Sequence, residues 1–205
     1  GYVLSHSRKE MPRDISKTII RHSLPRDVLD DDDIGKILQF PHYALDADVP
    51  SSHFWVIMIS LFSGASAGEI CCLEVDDFCV ADDIHCFIIH TRENRQLKLS
   101  WTDRLVPIHP FLLNDLNIIG FISNLKQSGE KRLFPELKAD TRGWCGNSIS
   151  KMFVRLAKEY KVESRYGWRK TFTSIRHTVI KKLKSLGVDE SLIFQLVGRK
   201  DPRSN

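Results

Sequence analysis

The segment that decides the fold is Phe172-Thr173-Ser174-Ile175-Arg176-His177-Thr178, which places an Arg-His pair inside an amphipathic pattern. The apolar positions around it are Phe172, Ile175, Val179, Leu183 and Leu186. At 100° per residue these side chains fall within about 80° of one another, which predicts a helix packed on a core. Arg176 lies beside that face, so its guanidinium would leave the edge of the core already ordered for gripping a phosphate. The plainer alternative is a basic surface helix.

Charge is divided unevenly along the chain. Residues 1–97 carry 9 basic and 16 acidic side chains, whereas residues 98–205 carry 21 basic and 10 acidic ones. A basic excess of this kind is typical of a surface that binds nucleic acid. A solvated lysine-rich face is the alternative, and the asymmetry favours nucleic acid.

Composition and cysteine spacing exclude several classes of protein. The chain is 42% apolar and 27% charged, which is ordinary for a globular domain. Its longest apolar run, residues 54–62, is too short to cross a bilayer. The five cysteines show no CxxC spacing, so we expect neither zinc nor a disulfide framework, and a cytoplasmic location is the default. We predict no metal site and no cofactor.

Hydrophobic periodicity predicts a mainly α protein with one small antiparallel β-sheet, an α+β class. Residues 1–29 lack periodicity and are predicted to be an N-terminal arm or inter-domain linker, ahead of one domain over residues 30–205. Helices are predicted to begin at Asp30 to Asp33 and to cover about 53–62, 67–73, 110–126, 148–160, 171–186 and 189–197. Two strands, at about 84–90 and 105–108, are predicted to pair with each other.

The order of these elements resembles the catalytic domain of the tyrosine recombinases, the phage-type integrases, over about residues 30–200. The matching segments are Phe62-Ser63-Gly64-Ala65-Ser66-Ala67-Gly68-Glu69-Ile70 with Leu73 and Asp76-Asp77 (first box), Lys98 to Pro110 (hairpin lysine and next strand), Arg132-Leu133-Phe134-Pro135-Glu136-Leu137 (a loop of one integrase branch), Ser174-Ile175-Arg176-His177-Thr178 (second box), and Gly187-Val188 with Val197-Gly198 behind it. The resemblance implies a site-specific DNA recombinase or integrase domain that binds double-stranded DNA.

In that family a tyrosine hydroxyl attacks a DNA phosphate without a metal, and fixed cations meet the charge that develops on the phosphoryl oxygens. The resemblance assigns Arg176 to the second-box arginine and Lys98 to the hairpin lysine. It places Arg199 where the family usually has histidine or tryptophan. Ser66 stands where the first-box arginine is expected, and Thr173 stands where a histidine is expected.

The nucleophilic tyrosine of the family would lie several residues beyond Arg199, and the sequence stops at Asn205 without one. The hypothesis is therefore a recombinase-type domain that binds DNA but does not cleave it in this form. A naturally decayed relative and a shortened chain with an inactivating change at Ser66 both fit. The separate departures at Thr173 and Arg199 favour decay. We expect a monomer off DNA, whereas full-length active relatives work as synaptic tetramers.

Four further cations are predicted to contact the DNA backbone. Arg165, Arg169 and Lys170 come just before the second-box helix, and Arg95 lies in the hairpin turn. Glu69 is expected to orient neighbouring helices, and a structural salt bridge from Arg176 to Glu69 is the alternative to phosphate binding. His177 is predicted to be a packed helix residue. Trp144 and Trp168 are predicted to be core or hinge aromatics.

Two rival functions stay open. The same fold would serve a non-catalytic DNA-binding or regulatory relative of the integrases. A helical interaction domain whose basic face binds an acidic protein is the second rival. The salt dependence of duplex binding separates this second rival from the first, because each phosphate contact releases a counterion.

Overall fold

The structure is a computed structural model that describes residues 27–40, 51–90, 103–138, 145–162, 164 and 169–200. Within those residues the elements in chain order are α1 Asp31–Leu38, α2 Ser52–Ser63, α3 Ala67–Cys71, β1 Phe78–Ala81, β2 Ile84–Ile89, β3 Arg104–Pro107, α4 Pro110–Asn114, α5 Ile118–Gln127, α6 Asn147–Glu159, α7 Phe172–Ser185 and α8 Glu190–Val197. The predicted class, mainly α with one small antiparallel sheet, is confirmed.

Helix α2 is the centre of the core. Its residues 54–60 are all buried, and a helix that is apolar on every side has to be enclosed by other elements. Helices α3 and α7 pack against it. The ring of Trp55 stacks on Phe121 of α5, with 5.0 Å between the ring centroids. The helix begins after Ser51, whose Oγ accepts the N–H of Phe54 at 3.3 Å.

The sheet has the strand order β1-β2-β3, with both pairs antiparallel. The pairing of β2 with β3 agrees with the prediction, whereas β1 was not predicted. Strands β1 and β2 are joined by Asp82 and Asp83, with φ of 48° and 61°. A two-residue turn with both φ positive matches the twist of a hairpin, and Asp tolerates this region better than most residues.

One predicted helix was wrong. Residues 110–126 form two helices, α4 and α5, instead of one. Asn117 separates them with φ of 50°, and its side-chain oxygen accepts the N–H of Gly120 at 3.1 Å, which caps α5. The apolar face predicted for α7 is also shorter than expected. Phe172 and Ile175 are buried, but Leu186 is 67% exposed because it lies past the end of the helix.

The segment leading into α1 is attached to the start of α7. The N–H of Leu29 donates to Thr178 Oγ1 at 2.7 Å, and the N–H of Asp27 donates to the carbonyl of Arg169 at 3.0 Å. These two bonds tie residues 27–29 to the helix that carries Arg176. The helices in the described ranges include none with the length and apolarity needed to cross a membrane.

Candidate functional site

Arg176 is held at the edge of the core by two contacts. Its neighbour Ile175 is fully buried, which fixes the face of α7 from which the arginine extends. Nε–H of Arg176 donates to the carbonyl of Gly64 at 2.6 Å, and Nη2 forms an ion pair with Glu69. The side chain of Arg176 is 13% exposed. The guanidinium therefore lies just beneath the surface in a fixed orientation.

Gly64 makes the approach of α7 possible. It ends α2 in the left-handed region, with φ of 68°, where a glycine is favoured. A Cβ at this position would lie 2.8 Å from Val197 and 3.3 Å from Val179, so any larger residue would push α7 and α8 away. The glycine of the first box thus lets the carbonyl of residue 64 reach Arg176.

Glu69 is a buried carboxylate at the first turn of α3. Ser66 caps that helix: its Oγ accepts the N–H of Glu69 at 3.4 Å, and its own N–H donates to Glu69 Oε2 at 2.7 Å. The hydroxyl of Ser66 also donates to Oε2, at 2.6 Å. Ser66 is therefore a capping residue that faces the same carboxylate as Arg176. The expectation that Glu69 orients neighbouring elements fits this arrangement.

Arg104 completes the cluster, and the sequence reasoning missed it. Its Nη1 donates to Glu69 Oε1 at 2.8 Å, and both side chains are 8% exposed. Nε–H of Arg104 donates to the carbonyl of Leu196 in α8 at 2.8 Å. Strand β3 and helix α8 are thereby both joined to helix α3. A Cβ on Gly198, whose φ is 65°, would overlap the Arg104 guanidinium, so this glycine makes room for the arginine.

Strand alternation is the signal that could have found Arg104. It pairs with Ile89 and lies two residues from Val106, which pairs with Phe87. Ile89, Val106 and Phe87 are all buried. Because alternate residues of a strand share a face, Arg104 points inward with them. An arginine at an inward position of a short strand needs a buried acid as its partner.

The pKa values of the cluster follow from burial and from its charges. Burial raises the pKa of Glu69, but the guanidiniums of Arg176 and Arg104 outweigh it, and the pKa lies below its ordinary value. Burial lowers the pKa of Arg176. Glu69 opposes that effect, whereas Arg104 and Arg199 reinforce it, so the net direction is downward. Arginine stays charged at neutral pH, so the cluster holds closely spaced positive charges.

Arg199 adds charge at the surface of the same cluster. It is exposed and follows Gly198, where α8 ends. Its N–H donates to the carbonyl of Phe194 at 2.9 Å, which fixes the backbone at this point. Arg199 makes a small contribution to the lowered pKa of Arg176, and its predicted place in the site stays a prediction.

The other predicted residues fall into three groups. Lys98, Arg95 and Arg165, together with Trp144 and Trp168, lie outside the described residues. Thr173 and His177 are half-buried on α7, and their predicted roles stay predictions. Arg169 is half-buried, with its carbonyl bonded to Asp27.

Lys170 forms an enclosed ion pair. Its Nζ lies 2.5 Å from Asp33 Oδ2, and the two side chains are 6% and 4% exposed. This ion pair attaches α1 to the segment before α7, and the predicted contact of Lys170 with DNA stays a prediction.

The chemistry available to the cluster is anion binding. Among the described residues, no three His, Cys, Asp or Glu side chains are arranged so that they could hold a metal ion. The two guanidiniums that contact Glu69 are fixed donors of charge-assisted hydrogen bonds. Such donors suit a phosphate oxygen.

Solved structures with a similar fold are recombinases and integrases. The chain is similar to the XerH site-specific recombinase bound to palindromic difH substrate in a post-cleavage complex, with a TM-score of 0.57 and 15% identity over 98% of this chain and 53% of that one. It is similar to a lambda integrase dimer bound to a COC′ core site, with a TM-score of 0.56 and 17% identity over 88% of this chain and 60% of that one.

A third similar structure is the Tn1549 transposon integrase in complex with a circular intermediate DNA, with a TM-score of 0.58 and 20% identity over 89% of this chain and 60% of that one. The chain thus spans between 53% and 60% of the length of these three proteins. No protein-family model matches the sequence, and no curated protein matches it. The helix-rich architecture with its three-stranded antiparallel sheet is the fold of the tyrosine-recombinase catalytic domain.

Proposed function

We propose that residues 30–205 are a DNA-binding domain of the tyrosine-recombinase type, which engages a backbone phosphate through Arg176 and does not cleave the strand in this form. The observation that carries the proposal is the fixed position of Arg176. Its guanidinium is bonded to the carbonyl of Gly64 and to Glu69, and the side chain is 13% exposed at the edge of the core.

Preorganisation is what makes this arginine suited to a phosphate. Two of its donor positions are occupied by groups of the protein, so the guanidinium loses little conformational freedom when an anion binds. The exposed positive charge of Arg199 favours the approach of an anion to the protein surface. The three solved structures described above, each bound to DNA, support DNA as the source of that phosphate.

The proposed lack of cleavage rests on Ser66. A hydroxyl supplies one neutral hydrogen bond, and the hydroxyl of Ser66 already donates to Glu69. Losing one preorganised donor from a site of this kind costs roughly 10²–10³ in rate. Thr173 lies on the first turn of α7, where the resemblance would supply a histidine, so a second group is missing. Ser66 and Thr173 are both compatible with the fold, and both lack a group that strand cleavage would use.

The remaining predicted cations belong to the proposal as DNA-backbone contacts: Lys98, Arg95, Arg165 and Arg169. We place the domain in DNA integration for a mobile element, acting as a monomer off DNA. The cytoplasm is the proposed compartment. All five cysteines are free thiols, which suits a reducing environment.

Binding is tested by titrating the chain into a fluorescent duplex at several salt concentrations. The affinity should fall steeply, with a slope near −0.9 for each phosphate contacted. Arg176→Ala should weaken binding by roughly tenfold to a hundredfold, because a charge-assisted contact is lost. Lys126→Ala removes one exposed charge on α5 and serves as the control. A salt-independent affinity would favour the rival in which the basic face binds an acidic protein.

Cleavage is tested with a nicked duplex that traps a covalent protein–DNA product. We expect no covalent product on a denaturing gel. Its appearance would show an active strand transferase and would contradict the proposed loss of activity. Ser66→Arg alone should leave the result unchanged, because Thr173 still stands where the resemblance would supply a second catalytic group.

A further inference from the structure

We propose that Cys79 on β1 and Cys86 on β2 are a redox-active thiol pair, which hydrogen peroxide oxidises to a disulfide across the hairpin. Both side chains are free thiols in the structure, so it shows the reduced form of the pair. The site lies on the sheet and shares no residue with the cluster around Arg176. The inference therefore goes beyond the proposed function and does not depend on DNA binding.

The register of the hairpin places the two cysteines directly opposite each other. Cys79 and Cys86 are partners in the antiparallel pairing of β1 with β2. The N–H of Ile88 donates to the carbonyl of Asp77 at 2.7 Å. Because hydrogen-bonded pairs alternate along such a ladder, the two cysteines form the next hydrogen-bonded pair. The Cα atoms of a pair of this type lie about 5.5 Å apart, within the range of roughly 4.4–6.8 Å that a disulfide spans.

The turn fixes this register. Asp82 and Asp83 join the strands with φ of 48° and 61°, and a two-residue turn of this kind determines which residues face each other. Directly opposed side chains point to the same face of a sheet. Burial raises the pKa of the Cys86 thiol, and the neighbouring Cys79 raises it further, as expected for two sulfur atoms that lie close together.

The cysteine pair lies on the face of the sheet that points away from the core. Phe87 and Ile89 alternate with Cys86 along β2 and belong to the hydrophobic core, so Cys86 points to the opposite face. Ile84 shares that face and is 52% exposed. Cys86 itself is only 4% exposed, whereas Cys79 on the outer strand β1 is half-buried. Solvent therefore reaches the pair from the side of Cys79.

The order of the reaction follows from this difference in exposure. Hydrogen peroxide first transfers one oxygen to the sulfur of Cys79, which gives a sulfenic acid and releases one water. The sulfur of Cys86 then attacks the sulfur of Cys79. The S–S bond forms, the S–O bond breaks, and the leaving hydroxide takes the proton of the Cys86 thiol as a second water. In total the two thiols lose two electrons and two protons, and the peroxide gains them.

Two small side chains that only fill space on the sheet are the alternative. In that case the peroxide would oxidise each thiol according to its own exposure, and no cross-link specific to the pair would form. Cys72 is the matched control, because it is half-buried like Cys79 but lies at the end of α3 and outside the sheet. Cys71 and Cys145 are 0% and 7% exposed, which shields both from the oxidant.

The deciding experiment is mass spectrometry of the unchanged chain after mild treatment with hydrogen peroxide and blocking of the remaining thiols. Asp82 and Asp83 lie between the two cysteines, so a protease that cuts before aspartate separates the peptide of Cys79 from that of Cys86. We expect these two peptides to be joined, with the loss of two hydrogen atoms, and to come apart in dithiothreitol. Separate sulfinic acids, or a cross-link that involves Cys72, would overturn the inference.

Two variants and one further measurement sharpen the test. Cys72→Ser should form the cross-link as the unchanged chain does, whereas Cys86→Ser should leave Cys79 as a sulfenic acid that dimedone labels. In the unchanged chain a bridge restricts the opened hairpin, so oxidation should slow hydrogen exchange of the N–H groups of Cys79 and Ala81 by roughly tenfold. Unchanged exchange would show that any cross-link formed outside the folded hairpin, which contradicts the proposal.

Discussion

Helices α1 and α3 begin with the same kind of capping box, but the carboxylates of the two boxes are paired with different cations. Helix α1 has a capping box in which Asp33 Oδ2 accepts the N–H of Asp30 at 2.9 Å, and α3 has a capping box in which Glu69 accepts the N–H of Ser66. Each of these carboxylates is buried and also meets a cation from a distant part of the chain. Asp33 forms an ion pair with one lysine, Lys170, whereas Glu69 forms ion pairs with two arginines.

The difference separates a structural ion pair from a candidate binding site. One lysine on one carboxylate is balanced, and such a pair joins α1 to the start of α7. In the ion pairs described here, two arginines contact the carboxylate of Glu69. Burial alone does not distinguish the two places, because the side chains of both are less than 15% exposed. The number and the type of the cations in these described ion pairs do.

The largest effect is expected from Glu69→Gln. Two closely spaced guanidiniums would lose their shared counter-charge, and breaking a buried charge network of this kind costs about 3–5 kcal/mol of unfolding free energy. Urea denaturation measures this. Glu190→Gln is the control, because Glu190 pairs with Lys184 on the surface, where each side chain is 42% exposed, and such pairs contribute about 0–1 kcal/mol. Equal losses in the two variants would contradict the assigned role of Glu69.

Lowering the pH should reveal how much Glu69 contributes to the free energy of unfolding. The pKa of Glu69 is lowered in the folded state, so its stabilising contribution is complete above the unfolded-state pKa of about 4.3. The contribution is lost as the pH falls from there through the folded-state pKa. Glu69→Gln should therefore flatten this part of the curve of unfolding free energy against pH. A curve parallel to that of the unchanged chain would show that Glu69 is not the group responsible.

An intermediate effect is expected at the balanced pair. Asp33→Asn should cost about 2–3 kcal/mol, because Lys170 is left without its counter-charge, although its flexible stem can partly reach water. Replacing both residues with apolar ones, Asp33→Leu with Lys170→Met, should bring stability back to within about 1 kcal/mol of the unchanged chain. Duplex affinity of the double variant tests the predicted DNA contact of Lys170. A loss of affinity would support that contact, and an unchanged affinity would contradict it.

The smallest effect is expected at the glycine beside Arg104. Gly198→Ala combines a left-handed backbone, with φ of 65°, and an overlap with the guanidinium, and should cost about 2 kcal/mol. Gly129→Ala is the matched control: its φ is 75°, and a Cβ there would meet nothing within 4 Å, so only the backbone strain of about 1 kcal/mol remains. Thermal unfolding compares the two. An equal loss would mean that Arg104 can move aside.

Much of the fold could be predicted because its signals are local. The apolar periodicity of α6, α7 and α8 and the strand pattern of β2 are visible in short windows of sequence. The missed elements depend on single residues in unusual conformations. Asn117 separates α4 from α5 and has a positive φ. Asp82 and Asp83 also have positive φ, and they form the turn between β1 and β2. Composition does not reveal which Asp or Asn adopts that conformation.

The site was predictable only in part, because its contacts join distant segments. Arg176 stood out through its place beside an apolar face, and the structure keeps it there. The ion pair of Arg176 with Glu69, 107 residues away in sequence, was named only as the alternative to phosphate binding, and the pairing of Arg104 with Glu69, 35 residues away, was not predicted. Pairings over such separations are settled by the packing of β3 against α8, which no single segment encodes. Arg104 lies within the segment Lys98 to Pro110, to which the sequence assigned only the hairpin lysine and the next strand.

The hydrogen bond between Leu29 and Thr178 has a mechanical consequence. Thr178 lies two residues beyond Arg176 on α7, and its hydroxyl also donates to the carbonyl of Ser174 at 2.9 Å. Because the N–H of Asp27 also donates to the carbonyl of Arg169, a force applied at residue 27 would be shared between Thr178 and the segment just before α7. The position of residues 27–29 is therefore mechanically coupled to the turn of α7 from which Arg176 extends.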